Sequence, residues 1–122
     1  MPTLKGSKTE HNLLAAFAGE SQARNRYSFA ASIARKEGYE QISSLFLETS
    51  DDEKHHAKLF FKHLQGGEAK ITVSYPAGVS GDTLAQLKAA AAGERLEWTT
   101  LYTDFAEDAI QEGFHSAAET FK

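Results

Sequence analysis

The chain repeats itself. Gly19-Glu20, Tyr27 and Glu37-Gly38-Tyr39 with Phe46 recur as Gly93-Glu94, Tyr102 and Glu112-Gly113-Phe114 with Phe121, at an offset of 74 to 75 residues. A sequence that returns to the same residues at one spacing is built from two like units, so the fold must set two similar helical hairpins against each other.

The helices themselves follow from periodicity and breakers. Residues Lys8 to Glu37 contain no proline, and Leu13, Ala16, Phe17, Ala23, Tyr27, Ala31 and Ala34 fall on one face at 100° per residue. Thr9 is the expected N-cap and Gly38 the expected stop. A second helix is expected from Tyr39 to about Gln65, with Ile42, Phe46, Thr49, Phe60 and Leu64 inward and the Gly66-Gly67 pair closing it. The turn at Gly38 is too short for any arrangement but antiparallel neighbours. Glu68 to Gly81, with Pro76 and β-branched residues, reads as a long connection, extended around Ile71 to Tyr75. Asp82 caps a third helix expected from Thr83 to Gln111, facing inward through Leu87, Ala90, Leu101 and Phe105. A fourth helix begins at Phe114 and has only about ten residues before Lys122. The expectation is a single all-α domain over residues 1–122, a four-helix bundle with a long crossover between helices two and three and a truncated fourth helix.

Three carboxylates break the apolar pattern. Glu20 lies within about 20° of Leu13, Tyr27 and Ala31, Glu53 within about 20° of Ile42, Phe46 and Phe60, and Glu94 within about 20° of Leu87, Leu101 and Phe105. Carboxylates on the buried face are costly unless a cation neutralises them. His56 and Glu97 each follow one of these glutamates by three residues, about 60° around the helix, so Glu53 and His56 reach a common point from one face. Bundles with a dinuclear carboxylate centre use one Glu from each of two helices and Glu-x-x-His from each of the other two. Glu20, the Glu53/His56 pair and Glu94 match three helices of that four, and the repeat puts the counterparts of Glu53 and His56 near positions 128 and 131. A lone Glu-x-x-His in a charged helix is usually chance, and Asp51-Asp52-Glu53-Lys54 alone is usually a solvated face. Three centred glutamates in phase on three helices are a different matter.

Composition narrows the chemistry. There is no cysteine, so disulfides, thiolate nucleophiles and thiolate metal sites are excluded and any metal must be held by oxygen and imidazole. The net charge of -4, with no long run of one sign, argues against nucleic acid or an anionic membrane as partner. No apolar leader opens the chain and no long apolar run follows, so a cytoplasmic location is expected. His55 points away from Glu53, and His11 and His115 lie near helix ends, so all three are expected at the surface. His63 falls at the edge of the stripe, either at the core margin or beside the ligands. Tyr27 and Tyr102, at matched places in the repeat, are candidate hydrogen-bond donors to the carboxylates. Trp98 is expected to pack.

The segments Gly19-Glu20-Ser21-Gln22-Ala23-Arg24-Asn25-Arg26-Tyr27, Asp52-Glu53-Lys54-His55-His56-Ala57, Gly93-Glu94-Arg95-Leu96-Glu97 and Glu112-Gly113-Phe114 resemble the ferritin-like domain of rubrerythrins over nearly the whole chain. The resemblance implies a non-haem diiron oxidoreductase that reduces hydrogen peroxide to water. Glu20, Glu53, His56, Glu94 and Glu97 would be ligands to two iron ions, with Tyr27 and Tyr102 bonded to them. Glu97 separates that family from ferritins, and the iron held by His56 is implied to shift toward it on oxidation. The family's fourth-helix ligands and its rubredoxin-type tail are not within these residues, so the resemblance implies a separate electron-donor protein such as a rubredoxin. It also implies a homodimer, with helix hairpins exchanged in some members. A ferroxidase or iron-storage role, and a metal-free helical interaction domain, are the competing readings.

Overall fold

The computed structural model describes residues 3–78, 81–96 and 100–122. Among these every regular element is helical: α1 (Lys8–Lys36), α2 (Glu40–Phe61), α3 (Thr83–Leu96), α4 (Tyr102–Gln111) and α5 (His115–Phe121). None is long and apolar enough to cross a membrane.

The α1 cap is Ser7 rather than Thr9. The Ser7 hydroxyl accepts from Glu10 N at 3.0 Å, and Glu10 Oε1 turns back to accept from Gly6 N at 3.0 Å. Thr9 instead joins the two hairpins, since its N–H and its hydroxyl both donate to Glu112 Oε1, at 2.7 and 2.5 Å. At the far end Thr83 does the same to Glu37 Oε1, at 2.7 and 2.5 Å. Each hairpin thus caps the other's opening helix with the glutamate that ends its own first arm. The two stops match as well. Gly38 and Gly113 both adopt φ 87°, the left-handed conformation that costs glycine least, and Tyr39 N and Phe114 N each reach back 2.8 Å to Ala34 O and Ala109 O.

These contacts fix the topology. The second helix returns antiparallel to α1, clasped by Ser43 Oγ on Ala31 O and Ser50 Oγ on Arg24 O at 2.8 and 2.9 Å, short side chains that let the backbones approach. The last turn of α2 tightens into i→i+3 bonds after Phe61, so it ends four residues before the expected Gln65. The crossover then runs back along α1: Lys5 Nζ holds Gly66 O, Thr72 N donates to His11 Nε2, and Tyr75 Oη donates to Ala15 O at 2.6 Å. No strand forms around Ile71 to Tyr75, because this segment bonds to single groups of a helix and not to a second extended chain. Asp82 Oδ1 caps α3 through Ala85 N, as expected.

The expected third helix is divided into α3 and α4. The repeat offset grows by one between Glu94 and Tyr102, and in that interval residues 100 and 101 take the wider π-type turn. An i→i+5 turn holds one residue more than an α-helical turn, which is the size of the change in offset. Beyond it α4 packs well, with Tyr102, Ala106 and Ala109 buried, and α5 docks through Phe121, whose ring lies 5.2 Å from that of Phe60. The face of α3 is a different case. Only Thr83 and Gln86 are buried there, while Leu84, Leu87 and Leu96 are exposed. The expected burial of Leu87 and Leu101 is therefore not realised within this chain.

Candidate metal centre

The centre forms where α1, α2, α3 and α4 face one another. Glu20 is 1% exposed and Glu53 3%, so both sit as deep as the leucine and phenylalanine whose stripes they interrupt. With His56 they form a group whose ligand atoms all lie within 4.8 Å of one another. His56 Nδ1 stands 3.6 Å from Glu20 Oε2 and 3.8 Å from Glu53 Oε2. Those two carboxylate oxygens are buried and have no hydrogen-bond partner. Two buried acceptors that share one imidazole nitrogen without a hydrogen bond fit a cation held between them, since a buried unpaired carboxylate oxygen is strongly unfavourable.

The other oxygen of Glu20 is supported. Tyr102 Oη donates to Glu20 Oε1 at 2.5 Å, and by the same repeat Tyr27 Oη donates to Glu94 Oε1 at 2.9 Å. Both tyrosines thus stand where the repeat places them, each on the carboxylate of the opposite hairpin. Burial pushes the Glu20 carboxyl above the usual carboxylate range; the Tyr102 hydroxyl and His56 pull it back and the charge of Glu94 pushes it up again. A cation bound there would stabilise the ionised carboxylate against that upward push, so metal binding and the ionisation of Glu20 are linked.

Glu94 is half-buried and stands between two spaces. One is a small cavity of about 60 Å³ walled by Glu20, His56, Phe60, Tyr102 and Thr120 as well as Glu94. The other is an open groove of about 480 Å³ between α2 and α3, floored by Glu53, His56 and Glu94 and flanked by Ile42, Leu45 and Leu87. Glu97 and Trp98 lie outside the described residues. His55 and His115 are exposed, as expected, whereas His11 is half-buried and bonded to the crossover. His63 does not touch the carboxylates; its Nε2 lies 2.7 Å from Thr120 Oγ1.

Mixed carboxylate and imidazole donors without sulfur suit iron or manganese. A family model described as Rubrerythrin matches residues 11–122. The chain belongs to the rubrerythrin family, a family of ferritin-like diiron proteins. It is 60% identical over 120 residues to rubrerythrin of Porphyromonas gingivalis, covering 98% of this chain and 60% of that protein. To rubrerythrin of Nitratidesulfovibrio vulgaris it is 52% identical over 121 residues, covering 99% of this chain and 63% of the relative. Among solved structures, fully reduced, all-ferrous nigerythrin superimposes with a TM-score of 0.79 at 34% identity, covering 98% of this chain and 62% of that one. The chain thus spans about 60% of the length of the curated relatives it matches.

Sequence reasoning misses one residue of the centre, Thr120. The signal was present in the repeat, since Thr120 is the equivalent of Leu45 at the offset of 75, and Leu45 flanks the groove on the opposite side.

Proposed function

We propose that the chain is the diiron-binding part of a peroxidase that reduces hydrogen peroxide to water. The observation that carries this reading is the pair of orphaned buried oxygens, Glu20 Oε2 and Glu53 Oε2, converging on His56. Glu20, Glu53, His56, Glu94 and Glu97 would hold two iron ions, which when bound supply the two electrons that cleave the O–O bond. The protein's own part is to hold these carboxylates ionised and fixed. Tyr102 and Tyr27 do this by donating to Glu20 and Glu94, and in Glu20 the second oxygen, Oε2, has no hydrogen-bond partner and can serve a cation. The small cavity between Glu20, His56, Glu94 and Tyr102 is of a size for peroxide or water and for little else.

The exposed face of α3 and the groove beside it call for cover. We place there further helical residues carrying the counterparts of Glu53 and His56, in a homodimer whose hairpins are exchanged. Electrons would come from a separate small redox protein such as a rubredoxin. Anaerobic loading with ferrous iron followed by stopped-flow mixing tests the reading. Oxidation by hydrogen peroxide should outrun oxidation by dioxygen; faster reaction with dioxygen, with mineral accumulating, would replace this reading with an iron-storage one.

A further inference from the structure

Peroxide reduction consumes two protons for each two electrons, and of the two carboxylates on the small cavity Glu20 is buried and Glu94 half-buried. The described residues that wall this cavity include one hydroxyl with a polar neighbour on its outer side. Thr120 lines the cavity and its Oγ1 lies 2.7 Å from His63 Nε2, while His63 itself is only partly buried just past the end of α2. The same hydroxyl donates to Ser116 O at 3.2 Å, which leaves its lone pairs to accept and assigns the hydrogen of this contact to His63 Nε2. On the inner side, Tyr102 Oη and the carboxylates of Glu20 and Glu94 supply the polar partners that a cavity of about 60 Å³ needs to hold water.

We propose that His63 and Thr120 form a proton inlet from solvent to this cavity. A proton arriving at His63 Nδ1 releases the Nε2 proton to Thr120 Oγ1, and the threonine hydroxyl, swinging from Ser116 O, passes its own proton to cavity water. Thr120 is unchanged at the end and His63 is left neutral with its proton on Nδ1, to be reset by ring rotation and exchange with solvent. Burial, with Lys62 adding to it, holds the His63 pKa below the usual imidazole range, so the ring does not trap the proton it carries. The purpose of the inlet rests on the peroxide reading, but its existence does not.

The test is therefore made first on the metal-free chain. Exchange with solvent of the Tyr102 hydroxyl proton, held on Glu20, is followed by NMR. Thr120→Val and His63→Phe should each slow it about tenfold or more, Thr120→Ser should keep the native rate, and added imidazole should restore it in His63→Ala. A purely structural His63–Thr120 contact would lower the unfolding free energy and leave exchange unchanged at matched stability; that outcome overturns the inlet. In the iron-loaded protein Thr120→Val should slow peroxide-driven oxidation by a similar factor. Normal peroxide oxidation with unaltered exchange sinks the inlet alone, whereas slowed exchange in a protein indifferent to peroxide sinks only the peroxide reading.

Discussion

The two tyrosines offer an internal control, because the repeat places the same hydroxyl on the same kind of carboxylate in two environments. Tyr102→Phe removes the donor to Glu20 Oε1 at a site 1% exposed, where Glu20 Oε2 already lacks a partner. The ring keeps its packing against Phe60 at 5.3 Å, so no cavity opens and the loss is that of a charge-assisted bond in a buried place, about 2 kcal/mol. For a chain of this size that is a fall in Tm of about 8 °C. Tyr27→Phe removes the equivalent bond to Glu94, but Glu94 is half-buried and water can replace the hydroxyl, so about 0.5 to 1 kcal/mol is expected. The pH dependence has a definite sign. Glu20 has a raised carboxyl pKa in the fold, so its contribution favours the folded state below the ordinary value of 4.5 and is lost as pH rises through the folded value. Tyr102 limits that loss by favouring the ionised form. The gap between Tyr102→Phe and the native chain should therefore be widest at neutral pH and close as pH falls. Urea unfolding of the metal-free chain at pH 7 and pH 4 measures both effects. Equal costs for the two substitutions, or a gap that widens in acid, would refute the account of Glu20 as a buried, ionisable acceptor.

Glu53→Gln should stabilise the metal-free chain by about 1 kcal/mol, since it replaces a carboxylate oxygen without a partner by a neutral group, and should weaken ferrous-iron binding at least about tenfold. Thermal unfolding with and without iron reads both; a metal-free variant less stable than the native chain that still gains the full iron-induced rise in Tm contradicts the assignment. Glu112→Gln acts at the opposite end of the bundle. Burial would raise the Glu112 carboxyl, but the bonds from Thr9 and from Lys8 N outweigh it and hold the pKa low. Stability from this group is present above the ordinary value of 4.5 and lost as pH falls through the lowered one, so the variant should lose about 1 kcal/mol at pH 7 and show a shallower acid-unfolding slope. An unchanged slope would show that Thr9 holds the start of α1 without help from Glu112.

Much of this molecule was legible in the residues because its constraints are periodic. Helical phase put Glu20 and Glu53 among apolar side chains, and the structure buries both; the repeat paired Tyr27 with Tyr102 and Gly38 with Gly113, and each pair has matching geometry. What escaped was whatever depends on a partner distant in sequence. Thr9 looks like a cap until Glu112 is placed over it, and His63 at the edge of a stripe is ambiguous until α5 brings Thr120 to its ring. The division of the third helix is an intermediate case, foreshadowed by the offset changing from 74 to 75 but visible as a wide turn only in the backbone.

The sequence by itself thus determined the helices, their inward faces, the duplicated plan and the donor set of oxygen and imidazole, because spacing along a helix fixes direction and side-chain chemistry needs no fold to be read. Only the tertiary structure decided which oxygen of Glu20 is tied to Tyr102 and which has no hydrogen-bond partner, since that is a matter of atoms from opposite hairpins meeting. It also decided that Leu84, Leu87 and Leu96 of α3 are exposed among the described residues. Burial is a property of what lies across a surface, and a stripe of leucines carries no record of what covers it.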